Sequence, residues 1–247
     1  MTWSEQVFRY CERGQDTGFW AEPLNAITNA AFLLAALAAA IELQKRDPRD
    51  RDLAAAALIA IVCIIGAGSF LFHTLATRWA GLADTVPIVV FMMAYLAYAL
   101  RVYLGLGWIW TALGLVGFFV ALQYADTIPC RPGLISVAEA ARGPCLNGTV
   151  GYLPAFLAML GIGAALAFRR HPAARYLLGA SGAFFLSMGF RTVDLEMCAL
   201  TRIGGRALGT HFLWHLLNAA TLFLLLRAAV RHGSRVRAGR PIASPAS

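Results

Sequence analysis

Residues 53–73 read LAAAALIAIVCIIGAGSFLFH, twenty uncharged residues from Leu53 to Phe72 closed by His73. A helix needs about 20 apolar residues to cross the hydrocarbon core of a bilayer. The run is continuously apolar and does not alternate, so it predicts a membrane-spanning helix and excludes a strand of a closed barrel. Working outward, Leu104–Tyr124, Leu146–Phe168 and Ala207–Leu226 are further uncharged runs of 21, 23 and 20 residues. Ala26–Ile41 reaches the needed length when extended back to Trp20 and on to Leu43. Leu82–Leu100 is long enough but carries Asp84 near its start. Tyr176–Phe190 is shorter and runs on through Arg191 to about Asp194. The fold class expected is therefore all-α, a polytopic membrane protein built as a seven-transmembrane-helix bundle. Its single domain occupies residues 1–230, with spans near 20–43, 53–73, 82–102, 104–124, 147–168, 176–194 and 207–228. Residues 231–247 read as a basic, disordered tail.

Composition agrees. Of 247 residues, 59% are hydrophobic and 14% charged, against about 45–50% and 25% in a soluble chain. A soluble globule of this length must show much of its surface to water and could not hide so much apolar area. An ordinary cytosolic enzyme, a disordered chain and a disulfide-stapled miniprotein are excluded. The net charge of +8 reads as loop arginines that set membrane orientation, so no nucleic acid is expected as a partner, and no protein partner is evident. Lys45 is the one lysine, and alanine and arginine are frequent, as in GC-rich bacterial coding. The first 20 residues contain Glu5, Arg9, Glu12, Arg13 and Asp16 and lack the apolar core of a signal peptide, so this segment is expected to stay and to be available to a site. Seven spans put the termini on opposite sides. The N-terminal side then carries eight Lys and Arg and the other side thirteen. The positive-inside rule places the N-terminus outside and the C-terminus in the cytoplasm of a bacterial inner membrane, with Arg231, Arg235, Arg237 and Arg240 on anionic headgroups.

Five cysteines fit that orientation. Cys63 lies within a span and reads as a small buried apolar residue. Cys11, Cys130, Cys145 and Cys198 fall on the expected outer, oxidising face, where four cysteines allow three pairings. Cys130 and Cys145 share a loop; pairing them would leave Cys11 for Cys198, and four free thiols are the alternative.

Ionisable groups inside a span cost a few kcal/mol and are functional candidates by default. His171 and His232 sit in basic cytoplasmic segments. His73 ends the second span, and His211 and His215 open the seventh at i and i+4, on one helix face and about 6 Å apart along the axis. Ser69 has the same spacing to His73. Even spans end on the N-terminal side and odd spans begin there. The topology therefore brings Ser69, His73, Asp84, His211 and His215 to one depth near the outer face. Three neutral imidazoles suit zinc and leave a fourth position for a water, whose pKa the metal lowers toward neutrality. Asp84 is positioned to serve as general base, metal ligand or orienting partner of a histidine. Ser69 is positioned to hydrogen-bond the water or a developing oxyanion. The structural alternatives are histidines satisfying backbone carbonyls, an Asp84 that caps its helix, and a Ser69 that lets helices approach.

At these residues the sequence resembles the alkaline ceramidase family, within a wider group of seven-span hydrolases. Phe19-Trp-Ala-Glu-Pro-Leu-Asn25 followed by Thr28-Asn29 is similar to its first block, E-x-x-N-x-x-S/T-N. Gly66–Pro87 is similar to its second, G-x-x-S-x-x-x-H-x(10)-D-x-x-P, and His211–His215 to its terminal H-x-x-x-H. The resemblance implies a zinc-dependent amidase that cleaves the N-acyl bond of ceramide or a related membrane lipid. His73, His211 and His215 would carry zinc, with Asp84 and Ser69 at the catalytic water. It also implies calcium near the N-terminus, held by an acidic cluster that begins Asp-Trp-Cys-Glu, for which Glu12, Asp16 and Glu22 are the carboxylates here. Arg9 and Tyr10 replace the leading aspartate and tryptophan, which weakens the calcium expectation and leaves zinc untouched. Family members pair a cysteine like Cys11 with one like Cys198.

Two other function classes compete with a hydrolase. One is a receptor or scaffold with a structural zinc, but such sites usually close with four protein ligands. The other is a proton or ion transporter, which would need polar steps toward the far face; spans two, three and seven read as apolar below the histidine layer.

Overall fold

The computed structural model describes residues 2–128 and 145–233. Among them the chain is mostly helical, with eight α-helices: α1 (Pro23–Thr28), α2 (Ala30–Gln44), α3 (Leu53–Leu75), α4 (Arg78–Tyr98), α5 (Trp108–Asp126), α6 (Leu153–Phe168), α7 (Ala174–Thr192) and α8 (His211–His232). Among the described residues six stretches are long and apolar enough to cross a membrane: Pro23–Gln44, Leu53–Leu75, Arg78–Tyr103, Trp108–Asp126, Cys145–Phe168 and His211–His232. The helix α7 has comparable length, but Arg175, Ser181, Ser187 and Arg191 lower its apolar character. Outward faces carry Trp108, Ile109, Trp110, Leu113, Val116 and Phe168 in the open. A soluble protein would not tolerate such apolar exposure over whole helices.

Several boundaries differ from the sequence reading, each for a local reason. The first stretch is two helices that meet at Asn29. The third begins at Arg78 and not at 82, because the Thr77 side chain caps it by accepting from Ala80 N–H, and it ends in a π-helical turn, Ala99–Tyr103. The fourth begins at Trp108 and not at 104, because Gly105 turns the chain with φ +69°. The seventh begins at His211 and not at 207, because Arg206–Ala207 pairs with Arg202–Ile203 in a two-stranded hairpin, β1 and β2. Cys63 is exposed on α3, contrary to the buried position expected for it; small apolar residues of a membrane helix face lipid as readily as core. Cys130, its pairing with Cys145, and the tail from 234 onward lie outside the described residues.

The core lies among α2, α3, α4, α7 and α8, where Ala36, Val62, Ala99, Leu177, Ala180 and Leu226 are buried. The α3–α4 contact sets up the site. Pro87 has no N–H, so the carbonyl of Ala83 lacks its partner one turn on. Gly68 lies against that carbonyl so closely that a Cβ would overlap it. Any larger residue would push α3 from α4 just where Ser69 and Asp84 face each other.

The N-terminal segment closes the same end of the bundle. It runs against the α3–α4 turn, where Val7 N–H donates to Ala76 O at 2.6 Å and Arg78 N–H to Glu5 O at 3.1 Å. A disulfide between Cys11 and Cys198 ties it to the segment after α7.

Candidate metal centre

His73, near the C-terminus of α3, meets His211 and His215 from the first turns of α8. All three are buried, and one nitrogen from each lies within 4.8 Å of the others. The ring centroids of His73 stand 5.2 Å from His211 and 4.7 Å from His215. The rings are held from behind. His73 Nδ1 is 2.6 Å from Glu22 Oε2. An ionised carboxylate only accepts, so the proton sits on Nδ1 and the Nε2 lone pair points forward. That Nε2 is buried and has no partner among the described residues. The hydroxyl of Thr28 donates to Leu24 O at 2.8 Å and lies 3.0 Å from His215 Nδ1. With its one proton spent, it accepts from Nδ1–H and leaves the Nε2 lone pair of His215 free as well. His211 Nδ1 also lacks a partner among the described residues, and Tyr10 stacks on this ring at 3.8 Å between centroids. Burial pushes the Tyr10 phenol up to about 12, so it stays a neutral donor. Three buried imidazoles, two with a fixed tautomer, fit a borderline cation such as zinc.

Asp84 of α4 and Ser69 of α3 are both buried beside this group. Both residues line a cavity of about 1170 Å³, open space included. Arg9, Tyr10, Arg191 and Trp214 line it near the histidines, and Leu177, Thr221 and Leu225 line it further along. The expectation of purely apolar spans below the histidines needs correcting, since Tyr95, Asn218 and Thr221 also line the cavity. Both hydroxyls among them are used: Thr221 Oγ1 donates to Leu217 O at 2.9 Å within α8, and Tyr95 OH to Leu225 O at 3.1 Å across to α8.

The carboxylates considered for calcium have other partners. Glu22 holds His73 and also receives Arg13 Nε at 2.5 Å and Asn25 Nδ2 at 3.0 Å. Glu12 receives the backbone N–H groups of Leu24 and Asn25, each at 2.8 Å, two of the orphan donors at the start of α1. Burial pushes the Glu12 carboxyl above its ordinary value, and these two donors pull it back. Asp16 accepts from Gly18 N–H at 2.8 Å. The cation in this loop is the buried guanidinium of Arg13. Besides Glu22 it donates to the carbonyls of Asp16, Gly18, His73 and Thr74, at 2.9–3.3 Å. A positive side chain already fills the oxygen cage, so these residues do not fit calcium. Thermal unfolding of the protein is expected to be the same in chelator and in millimolar calcium. A 10 μM site would instead add about 2.7 kcal/mol at 1 mM. Arg13→Met, which strands the Glu22 charge, is expected to cost about 3–5 kcal/mol; a calcium-dependent rise in the wild-type midpoint would refute this account of the loop.

Asp194, just past α7, was not singled out from the sequence. Its carboxylate accepts the backbone N–H groups of Cys11 at 3.0 Å, Thr210 at 2.7 Å and His211 at 2.9 Å. It thereby satisfies the start of α8, fixes the depth of His211 and anchors the N-terminal segment beside the disulfide. The readable signal for Arg191 was a lone arginine closing an apolar run. For Arg13 there was none, because it lies in polar loop sequence, and Asp194 reads only as the end of the sixth span.

A family model described as Ceramidase matches residues 7–238. No curated protein matches the chain.

Proposed function

The chain belongs to the ceramidase family, and from that premise we propose that it is a zinc-dependent membrane amidase cleaving the N-acyl bond of ceramide or a related N-acyl lipid. The observation that carries the reading is His73: Glu22 holds its Nδ1, and its buried Nε2 is aimed at two further buried histidines. Zinc held by His73, His211 and His215 would supply Lewis acidity and a water of lowered pKa. Asp84 takes a proton from the attacking water and returns it to the leaving amine nitrogen. Ser69 fixes the carboxylate that does so. The acyl chain lies in the cavity along α8 from His211 to Leu225, about 21 Å at 1.5 Å per residue. Apolar walls such as Ile65, Phe91 and Leu222 keep bulk water out, which strengthens every charge interaction at the mouth.

The helix α7 supplies the seventh crossing. Its first turn has Tyr176 beside His232, at the end of α8, and its last turn has Arg191 beside Tyr10. It therefore covers the same thickness as α8, and its polar residues are tolerated because it packs between α6 and α8. The site faces outward and the C-terminus the cytoplasm, in keeping with the arginine distribution and with a disulfide at the site end.

The test is release of labelled fatty acid from an N-acyl sphingoid lipid by the purified protein in detergent. Release is expected to stop with a zinc chelator and to return when zinc is restored. An intact lipid pool after incubation with the zinc-loaded, folded protein would overturn the assignment.

A further inference from the structure

The cavity is also lined by an arginine that makes no ion pair among the described residues. Arg191 ends α7 and lines the cavity together with Asp84, His211 and Trp214. Its guanidinium lies 5.0 Å from the ring centroid of Trp214, 5.3 Å from Tyr152 and 5.8 Å from Tyr10. These aromatic faces stabilise the cation and hold it in place. They do not use its donors. The Nε is buried with no hydrogen-bond partner among the described residues, and one terminal nitrogen makes a long contact, 3.4 Å, with Tyr10 OH. No ion pair among the described residues includes Arg191.

The charges lining the cavity do not balance. Arg9 and Arg191 are positive, and Asp84 is the one carboxylate among the lining residues. Asp194, three residues past Arg191, also acts on the guanidinium from behind the lining but is taken up by three backbone N–H groups. Arg13 and Glu22 neutralise each other behind His73. A divalent metal on the three histidines would raise the imbalance further. A buried charge is tolerated when it is paired, and a neutral lipid headgroup brings nothing to pair with it.

We propose that Arg191, with the exposed Arg9 at the rim, forms a headgroup subsite for an oxyanion, so that the preferred substrate is an N-acyl lipid bearing a phosphate or carboxylate near its amide. The inference rests on reading the cavity as an N-acyl lipid site. The planar guanidinium presents paired N–H donors that match either anion. The acyl chain then runs down α8, the amide lies over the histidines and Asp84, and the anion meets Arg191.

The experiment uses the purified full chain and three short-chain N-acyl lipids that differ at one position, carrying a free hydroxyl, a phosphate or a carboxylate. Binding is read from the shift in thermal unfolding, and turnover from acid release. Both anionic lipids, or one of them, are expected to bind about 10–100-fold more tightly than the neutral lipid, the range for hydrogen bonds to a charged group. Arg191→Gln should raise KM for the favoured lipid by the same factor and erase its advantage, while Arg191→Lys recovers part of it. Arg9→Gln, at an exposed position, should weaken anionic binding by about 2–5-fold and guards against misfolding of the Arg191 variants. Equal affinity for all three lipids overturns the subsite. So does an Arg191→Gln variant that loses kcat equally on all three, which would place the guanidinium on the reacting carbonyl. Arg191-dependent binding of an anionic lipid that is never hydrolysed supports the subsite while refuting the amidase, so the two readings fail separately.

Discussion

Replacing His211 and His215 together by alanine is expected to take the protein from about one zinc per chain to background. Both imidazoles project from one face of α8 into a buried group, and the ring of His73 alone offers a single nitrogen. Thr28 remains to fix an absent ring, and Glu22 continues to orient a histidine with nothing to bind. Each single substitution should lose most of the metal, because two ligands hold zinc far more weakly than three. Acid release should disappear with the metal. Folding is checked independently, since α8 keeps its N-terminal anchor on Asp194 and the Cys11–Cys198 disulfide. Metal analysis of the dialysed variants, alongside wild-type protein stripped by chelator, decides the matter; a double variant that retains one zinc would remove the proposed centre.

Asp84→Asn should do the opposite, keeping zinc while losing turnover. Its side chain is close to isosteric, so the Gly68–Ala83 approach of α3 and α4 is preserved. The amide cannot accept the proton of the attacking water, and kcat should fall by about 10²–10⁴-fold, the usual share of general base catalysis. Ser69 contributes through the same carboxylate. Ser69→Ala removes the hydroxyl proposed to hold that carboxylate and should cost about 10–100-fold, the range for one hydrogen bond to a charged group. Combined, the two substitutions should be clearly less than multiplicative, because the serine has no carboxylate left to orient. Loss of zinc in Asp84→Asn would make the aspartate a ligand, and full activity in Ser69→Ala would detach the serine from the proton transfer.

The membrane-helix character of the chain was legible residue by residue. Leu53–Phe72 needs no partner to be read, because a run of twenty uncharged residues is a property of the chain alone. The three-histidine group was legible for a related reason. Helical spacing puts His211 and His215 on one face, and counting crossings puts His73 and Asp84 at the same depth. The ends of the helices were less legible. Leu104–Gly107 and Ala207–Thr210 carry no charge, yet Gly105 and Gly209 turn there with φ of +69° and +65°.

What holds and surrounds the three histidines was decided by tertiary structure. Glu22 is 51 residues from the histidine it orients, and Asp194 is 183 residues from one of the amides it binds. Arg13 reads as one more loop charge until its guanidinium is seen filling a cage of carbonyls drawn from two segments. Arg191 reads as the ragged end of a span until three aromatic rings are seen around its guanidinium and its Nε is seen buried without a hydrogen-bond partner among the described residues. The sequence by itself determined that there are long apolar helices and which faces carry the histidines, because hydrophobic run length and helical period are local. Which acid meets which base, and which arginine is left without one, depends on where distant segments come to rest, because a charge in a low-dielectric interior is neutralised by the group nearest in space and not in sequence.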